Sequence, residues 1–148
     1  MRTFYQITDT SLAPEALRAA IADPASGAVA AFVGTTRNSF AGKAVRHLEY
    51  EAYGPMAEQE MERIGMEIAS LYPAVTGIAI AHRTGRVEVG EASVAIAISA
   101  PHRREALAAC AEAIDRLKAR LPVWKKEVFA DGSEWRENRE EERPDDGR

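Results

Sequence analysis

The chain has 148 residues, 46% of them hydrophobic and 28% charged, which fits one domain large enough to bury a real core. Its formal net charge of −4 argues against a general nucleic-acid binder, and no apolar run is long enough to span a membrane. Cys110 is the single cysteine, so an internal disulfide framework and an all-cysteine metal site are both excluded. The N-terminal segment lacks an apolar stretch after Arg2 that could serve as a secretory signal, and with the lone thiol this points to a cytoplasmic protein.

Phe4 to Thr8 reads as a short strand. Asp9 to Ser11 then offer caps for a helix from about Ala13 to Ile21, with Pro14 in its first turn. After the turn chemistry of 23–27, Ala28 to Val33 is a continuous apolar run and a buried-strand candidate ended by Gly34. Thr35 to Lys43 is polar and predicts an exposed loop. Val45 to Tyr53 alternates as a strand. Strict period two groups Arg46, Leu48, Tyr50 and Ala52 on one face and leaves Val45, His47, Glu49 and Glu51 outside.

Beyond Gly54-Pro55, Met56, Met61, Ile64, Ile68, Leu71 and Tyr72 recur at helical spacing up to Pro73. Gly77 to Arg83 and Ala92 to Ser99 are two further strands, joined as a hairpin with an irregular connection. A helix follows, capped by Ser99 or Ala100, with Pro101 in its first turn. Its apolar stripe is Leu107, Cys110, Ala111, Ile114, Leu117 and Leu121, and Pro122 stops it. Val123 to Phe129 is the last strand, Asp131-Gly132 a tight turn, and 140–148 a charged, flexible tail behind a domain spanning 1–139. The order β-α-β-β-α-β-β-α-β predicts an α+β single domain with mostly antiparallel pairing and packed helices.

Three arrangements carry chemistry. The first is Lys118 to Lys126, in which Lys118, Arg120, Lys125 and Lys126 surround Pro122 with no acidic residue before Glu127. A lysine in the last turn of a helix is ordinarily a solvated partner of the helix dipole. Here Lys118 adjoins Leu117 on the apolar stripe, and the chain turns sharply after it. Two amines held close depress each other's pKa, and a desolvated one becomes a nucleophile or proton carrier. Alternation sends Lys125 and Lys126 to opposite faces, with Trp124 on the Lys126 side, so only one of the two can share a pocket with Lys118.

The second arrangement is His102-Arg103-Arg104 at a helix start, where cations oppose the dipole unless an anion sits there. Ordinary exposed side chains are the plain alternative. The third is Arg37, alone in its loop, for which exposed decoration is the default. His47, His82 and His102 lack metal-ligand spacing, and no phosphate loop or nucleophile elbow is present. From the residues alone the chain reads as a small α+β protein with a basic pocket for an anionic compound.

Several ordered stretches resemble the large subunit of molybdopterin synthase. They are Phe32-Val-Gly-Thr-Thr-Arg37, His82-Arg-Thr-Gly85, Val89-Gly-Glu-Ala-Ser-Val94, His102-Arg103, Asp115-Arg-Leu-Lys118, Pro122-Val-Trp-Lys-Lys-Glu127 and Gly132 to Trp135. Order and spacing match from Phe4 to Arg139. The resemblance implies a hammerhead-like α+β fold and a cytoplasmic sulfurtransferase of molybdenum cofactor biosynthesis. The implied reaction converts cyclic pyranopterin monophosphate to molybdopterin. Two sulfurs arrive as thiocarboxylate on the C-terminal glycine of a small ubiquitin-like subunit. The implied assembly is a heterotetramer around a dimer of large subunits, with no metal or cofactor of the protein's own, no nucleic acid and no membrane. The implied catalytic residues are Lys118 and Lys125. Arg37, His102, Arg103 and Arg139 are implied to bind substrate, some from the neighbouring large subunit. The competing reading is a non-catalytic module for a ubiquitin-like tail or a phosphorylated metabolite; retention of both lysines favours the enzyme.

Overall fold

A computed structural model describes residues 1–138, so Arg139 and the segment 140–148 lie outside the described residues. The elements in chain order are β1 (Arg2–Thr8), α1 (Pro14–Ala20), β2 (Ala28–Thr35), β3 (Ser39–Phe40), β4 (Lys43–Ala52), α2 (Gly54–Leu71), β5 (Gly77–Arg83), β6 (Gly85–Glu88), β7 (Ala92–Ala100), α3 (Arg103–Arg120), β8 (Val123–Phe129) and β9 (Glu134–Asn138). They form two sheets. The first has the order β1-β5-β7-β2, antiparallel except for the parallel pair β1·β5. The second runs β3-β4-β8-β9, with β6 also paired to β4, and is antiparallel throughout. This is the expected α+β architecture. No helix among the described residues is long and apolar enough to cross a membrane.

The first sheet is apolar on both faces because helices cover both. Ile78, Ile80, Ile96 and Ile98 join Met61, Ile64 and Ile68 of α2 and Cys110, Ala113 and Leu117 of α3 in the main core. On the opposite face Ala79, Ala81, Ala95 and Ala97 meet Leu17 and Ile21 of the α1 region. Alanine there lets the short helix lie close to the strands. The second sheet closes on its own cluster of Phe40, Val45, Leu48, Tyr50, Val87 and Phe129.

Several expectations change. The segment 35–43 is not simply a loop: Ala41 and Gly42 both have positive φ, as a two-residue hairpin turn requires, and the hairpin buries Phe40. The stretch between β5 and β7 supplies β6, which leaves that hairpin to pair with β4. A register shift between Val45 and His47 breaks the alternation of β4. Val45 and His47 are therefore buried and Arg46 is exposed, while Leu48 and Tyr50 point inward as expected. Ser99 and Ala100 belong to β7, and His102 is the N-cap of α3, so Pro101 precedes the helix. Leu107 and Ala111 are not on the buried stripe of α3; Leu107 is 60% exposed, and Ala106, Ala109 and Ala113 are buried with Cys110 and Leu117. Three strands among the described residues, β3, β6 and β9, are additional to the expected order, and Val123–Phe129 is not the last.

Charge fixes the lateral contact of α2 with α3. Arg120 donates to Glu60 Oε1 at 2.6 Å and to both oxygens of Glu67, while Arg116 bridges Glu67 and Glu112. The two guanidinium groups hold the Glu67 carboxyl down at about 2.

Candidate active site

The cation cluster around Pro122 separates once its partners are seen. Arg120 is committed to the carboxylates of α2. Lys126 lies on the outer face of β8, within 3.3 Å of Glu49 and 3.7 Å of Glu134. Trp124 shares that face and packs edge-on against Tyr53, with ring centroids 5.4 Å apart. Lys125 faces the other way and is only 8% exposed. Alternation along β8 thus divides the two lysines as expected, with Lys125, Glu127 and Phe129 inside.

The inner side of Lys125 is built from three strands. Tyr50 is its partner across β4, and the Tyr50 ring meets His82 of β5 edge-on at 5.0 Å. Glu127, two residues along the same face, places Oε1 3.9 Å from Lys125 Nζ. His82 is buried, and its Nδ1 donates to the carbonyl of Arg83 at 2.8 Å, which fits a neutral ring with Nε2 as acceptor. Burial, and secondarily the Lys125 charge, push its pKa down to about 4. His82 and Glu127 are the neighbours that sequence reasoning did not assign to the site. Their signals were an imidazole continuing the buried run of β5 and a carboxylate in step with Lys125 on β8.

Because His82 is neutral in the fold and charged more readily when unfolded, it costs stability in acid. Between the ordinary histidine pKa near 6.5 and about 4 the unfolded chain binds the extra proton, so stability falls as pH drops through that window. His82→Asn is expected to flatten this dependence, worth about 3 kcal/mol across the window. Denaturant titrations at pH 7 and pH 4.5 measure it; an unchanged slope in the variant contradicts the assignment.

A cleft of about 700 Å³ opens beside this cluster, lined by Lys125, Tyr50, Tyr53, Arg86 and Trp124 and also by Lys126, Glu49 and Arg136 of the outer face. Lys118 is outside that lining. It is exposed in the last turn of α3, and Lys125 follows soon after the Leu121-Pro122 turn. Arg37 is exposed just beyond β2, where Thr36 exchanges backbone hydrogen bonds with Gly90 and Glu91.

The other basic pair stands elsewhere. His102 and Arg103 are exposed at the opposite end of α3, about 22 Å from Lys118 along the helix axis. Strand β7 leads up to that end and α3 returns from it. Antiparallel β2 starts beside it, with Gly27 N–H donating to the Ala100 carbonyl, and finishes at the far end, where Arg37 lies. One chain therefore gathers Arg37, Lys118 and Lys125 toward one end and sends His102 and Arg103 to the other. Among the described residues no group of histidine, cysteine and carboxylate side chains is arranged to hold a metal.

The family described as MoaE protein matches residues 7–120. The chain belongs to the MoaE family. A relative from Taeniopygia guttata, described as molybdopterin synthase catalytic subunit, is 46% identical over 139 residues, covering 94% of this chain and 90% of that protein. Curated relatives of the same description differ in length, and the chain spans between 34% and 90% of them. The crystal structure of molybdopterin synthase from Staphylococcus aureus superposes with a TM-score of 0.85 at 36% identity, covering 89% of this chain and 95% of that one. A protein–protein complex of subunits 1 and 2 of molybdopterin-converting factor from Helicobacter pylori shares the fold at a TM-score of 0.70 and 22% identity, covering 88% and 87% of the two chains. In this chain Lys118 and Lys125 stand on either side of the α3–β8 junction.

Proposed function

We propose that this chain is the catalytic subunit that converts cyclic pyranopterin monophosphate to molybdopterin. Sulfur would come twice from the thiocarboxylated C-terminal glycine of a small ubiquitin-like subunit. The observation that carries the reading is Lys125, an ammonium buried beside a neutral imidazole and a carboxylate. Burying an ammonium is costly, and a module that merely held a phosphate would need only exposed arginines.

In this reading Lys118 and Lys125 meet the developing negative charge as thiocarboxylate sulfur adds to a substrate carbon, and they move protons there. Arg37 holds the phosphate from the same end of the molecule. His102, Arg103 and Arg139 complete the grip, with His102 and Arg103 supplied by a second large subunit because their own α3 holds them far from Lys118. Two large subunits at the centre with one small subunit on each make the proposed heterotetramer, and its place is the cytoplasm.

The test mixes the wild-type chain with thiocarboxylated small subunit and the cyclic pterin, and follows dithiolene formation. Product is expected, with two thiocarboxylates consumed per pterin. Tight binding of both reactants without product would instead establish the non-catalytic reading.

A further inference from the structure

We propose that Glu91 is a positioning residue for Arg37: its carboxylate fixes the turn that clasps the end of β2, on the reading given above that Arg37 holds the substrate phosphate.

Arg37 stands where a strand is running out. The register against β7 shifts between Gly34 and Thr35, and the ladder ends at Thr35. An exposed arginine two residues beyond a ladder has many rotamers open to it, and ordering it on a ligand costs affinity. The chain is caught one residue before it. Thr36 N–H donates to the Glu91 carbonyl at 3.0 Å, and Gly90 N–H donates to the Thr36 carbonyl at 2.9 Å. Thr36 is buried, yet its hydroxyl has no hydrogen-bond partner among the described residues. Main-chain bonds to the 88–91 turn therefore do the holding.

That turn takes its shape from Gly90 and Glu91. Glu91 N–H closes it onto the Glu88 carbonyl at 2.9 Å, and Gly90 has a φ of 87°, the pattern of a type II turn. The Glu91 side chain then bends back over it. Its Oε1 accepts the Glu88 N–H at 2.9 Å and meets Arg83 Nη1 at 3.2 Å. Arg83 ends β5 with its side chain 14% exposed, and its Nε has no hydrogen-bond partner among the described residues. One carboxylate thus ties the turn to the end of β5, and the main chain of the same residue ties the turn to Thr36. The Glu88 N–H, and after it the Arg83 charge, hold the Glu91 carboxyl below its ordinary range.

Glu91 is no ligand for a phosphate, which a carboxylate would repel. Its charge is matched to Arg83, and it acts on the substrate only through Arg37.

The test measures the affinity of the cyclic pterin for the full chain in complex with small subunit that ends in a plain carboxylate, so that no sulfur transfer intervenes. Arg37→Ala is expected to weaken binding about 10- to 100-fold, as for a lost charge-assisted hydrogen bond. Glu91→Gln keeps an oxygen for the Glu88 N–H but offers Arg83 no charge, and is expected to weaken binding about fivefold. Combined with Arg37→Ala it should add nothing, because both changes act through one side chain. In turnover Glu91→Gln should raise KM for the pterin and leave kcat within about twofold.

Gly90→Ala strains the turn without touching a side chain, since a Cβ there meets open space and only the positive φ is disturbed. It should copy Glu91→Gln, and it carries the test alone if Glu91→Gln does not fold. Gly132→Ala imposes the same kind of strain on another turn and should bind as wild type does. Hydrogen exchange at the Thr36 and Gly90 amides should quicken in Glu91→Gln and Gly90→Ala.

Unchanged exchange in these variants overturns the proposal. So does unchanged affinity in Glu91→Gln and Gly90→Ala where Arg37→Ala still weakens binding, or losses at 37 and 91 that multiply; the phosphate role of Arg37 then stands. An Arg37→Ala protein that binds as tightly as wild type overturns that role, and the role of Glu91 falls with it.

Discussion

Replacing Lys118 by alanine is expected to lower kcat for dithiolene formation about 10³-fold, the loss typical when a group that stabilises transition-state charge is removed. Lys125→Ala should lose about 10²-fold, as for a positioned proton carrier. Lys126→Ala should stay within about twofold, because its ammonium is matched to Glu49 and Glu134 on the outer face of β8. The contrast between neighbours is the informative part. Lys125 and Lys126 carry the same charge one residue apart, so an effect of general electrostatics would treat them alike. Only the pleat separates them: one side chain is enclosed with Tyr50, His82 and Glu127, the other paired with Glu49 and Glu134 on the outer face. Steady-state rates of the three variants with saturating thiocarboxylated partner measure this, and equal losses at 125 and 126 contradict the face assignment.

Much of the fold was legible where one physical signal dominated. The buried strands β2, β5 and β7 announce themselves as apolar runs, and α2 and α3 as periodic stripes between prolines. The misses arose where a tertiary partner overruled a local pattern. Period two on β4 fails at the irregularity beside Arg46, which no local residue type marks. Residues 85–88 are too few to register as a strand until β4 is there to pair with them. Phe40 looked like loop because a single aromatic between polar neighbours shows no period, yet the hairpin folds it onto Phe129.

The site divides in the same way. Opposite faces for Lys125 and Lys126 follow from the pleat, so sequence sufficed. Arg120 counted as one of four cations because the carboxylates that bind it, Glu60 and Glu67, lie far away in the chain. Leu107 fitted the stripe by spacing alone, but α3 packs inward through Ala106, Ala109, Cys110, Ala113 and Leu117, and the leucine turns outward. Arg139, expected to contact substrate, lies outside the described residues.

Arg103→Ala is the second large expected loss, about 10²-fold in kcat/KM, because a guanidinium that grips the substrate phosphate is removed. Its distinctive consequence appears in mixtures. If Arg103 acts in its own chain, an Arg103→Ala protein and a Lys118→Ala protein are both dead, and mixing them changes nothing. If it acts on the partner's pocket, a mixed dimer carries one site with both defects and one with neither. Random exchange makes half of all dimers mixed, so about a quarter of the wild-type activity should return. The exchange can be followed with a tag on one parent, so that mixed dimers are counted independently of turnover. The measurement that bears most directly on the shared site is therefore the activity of this mixture after exchange. Recovery toward a quarter of the wild-type rate is the predicted result, and two inactive parents that exchange subunits yet stay inactive would contradict it.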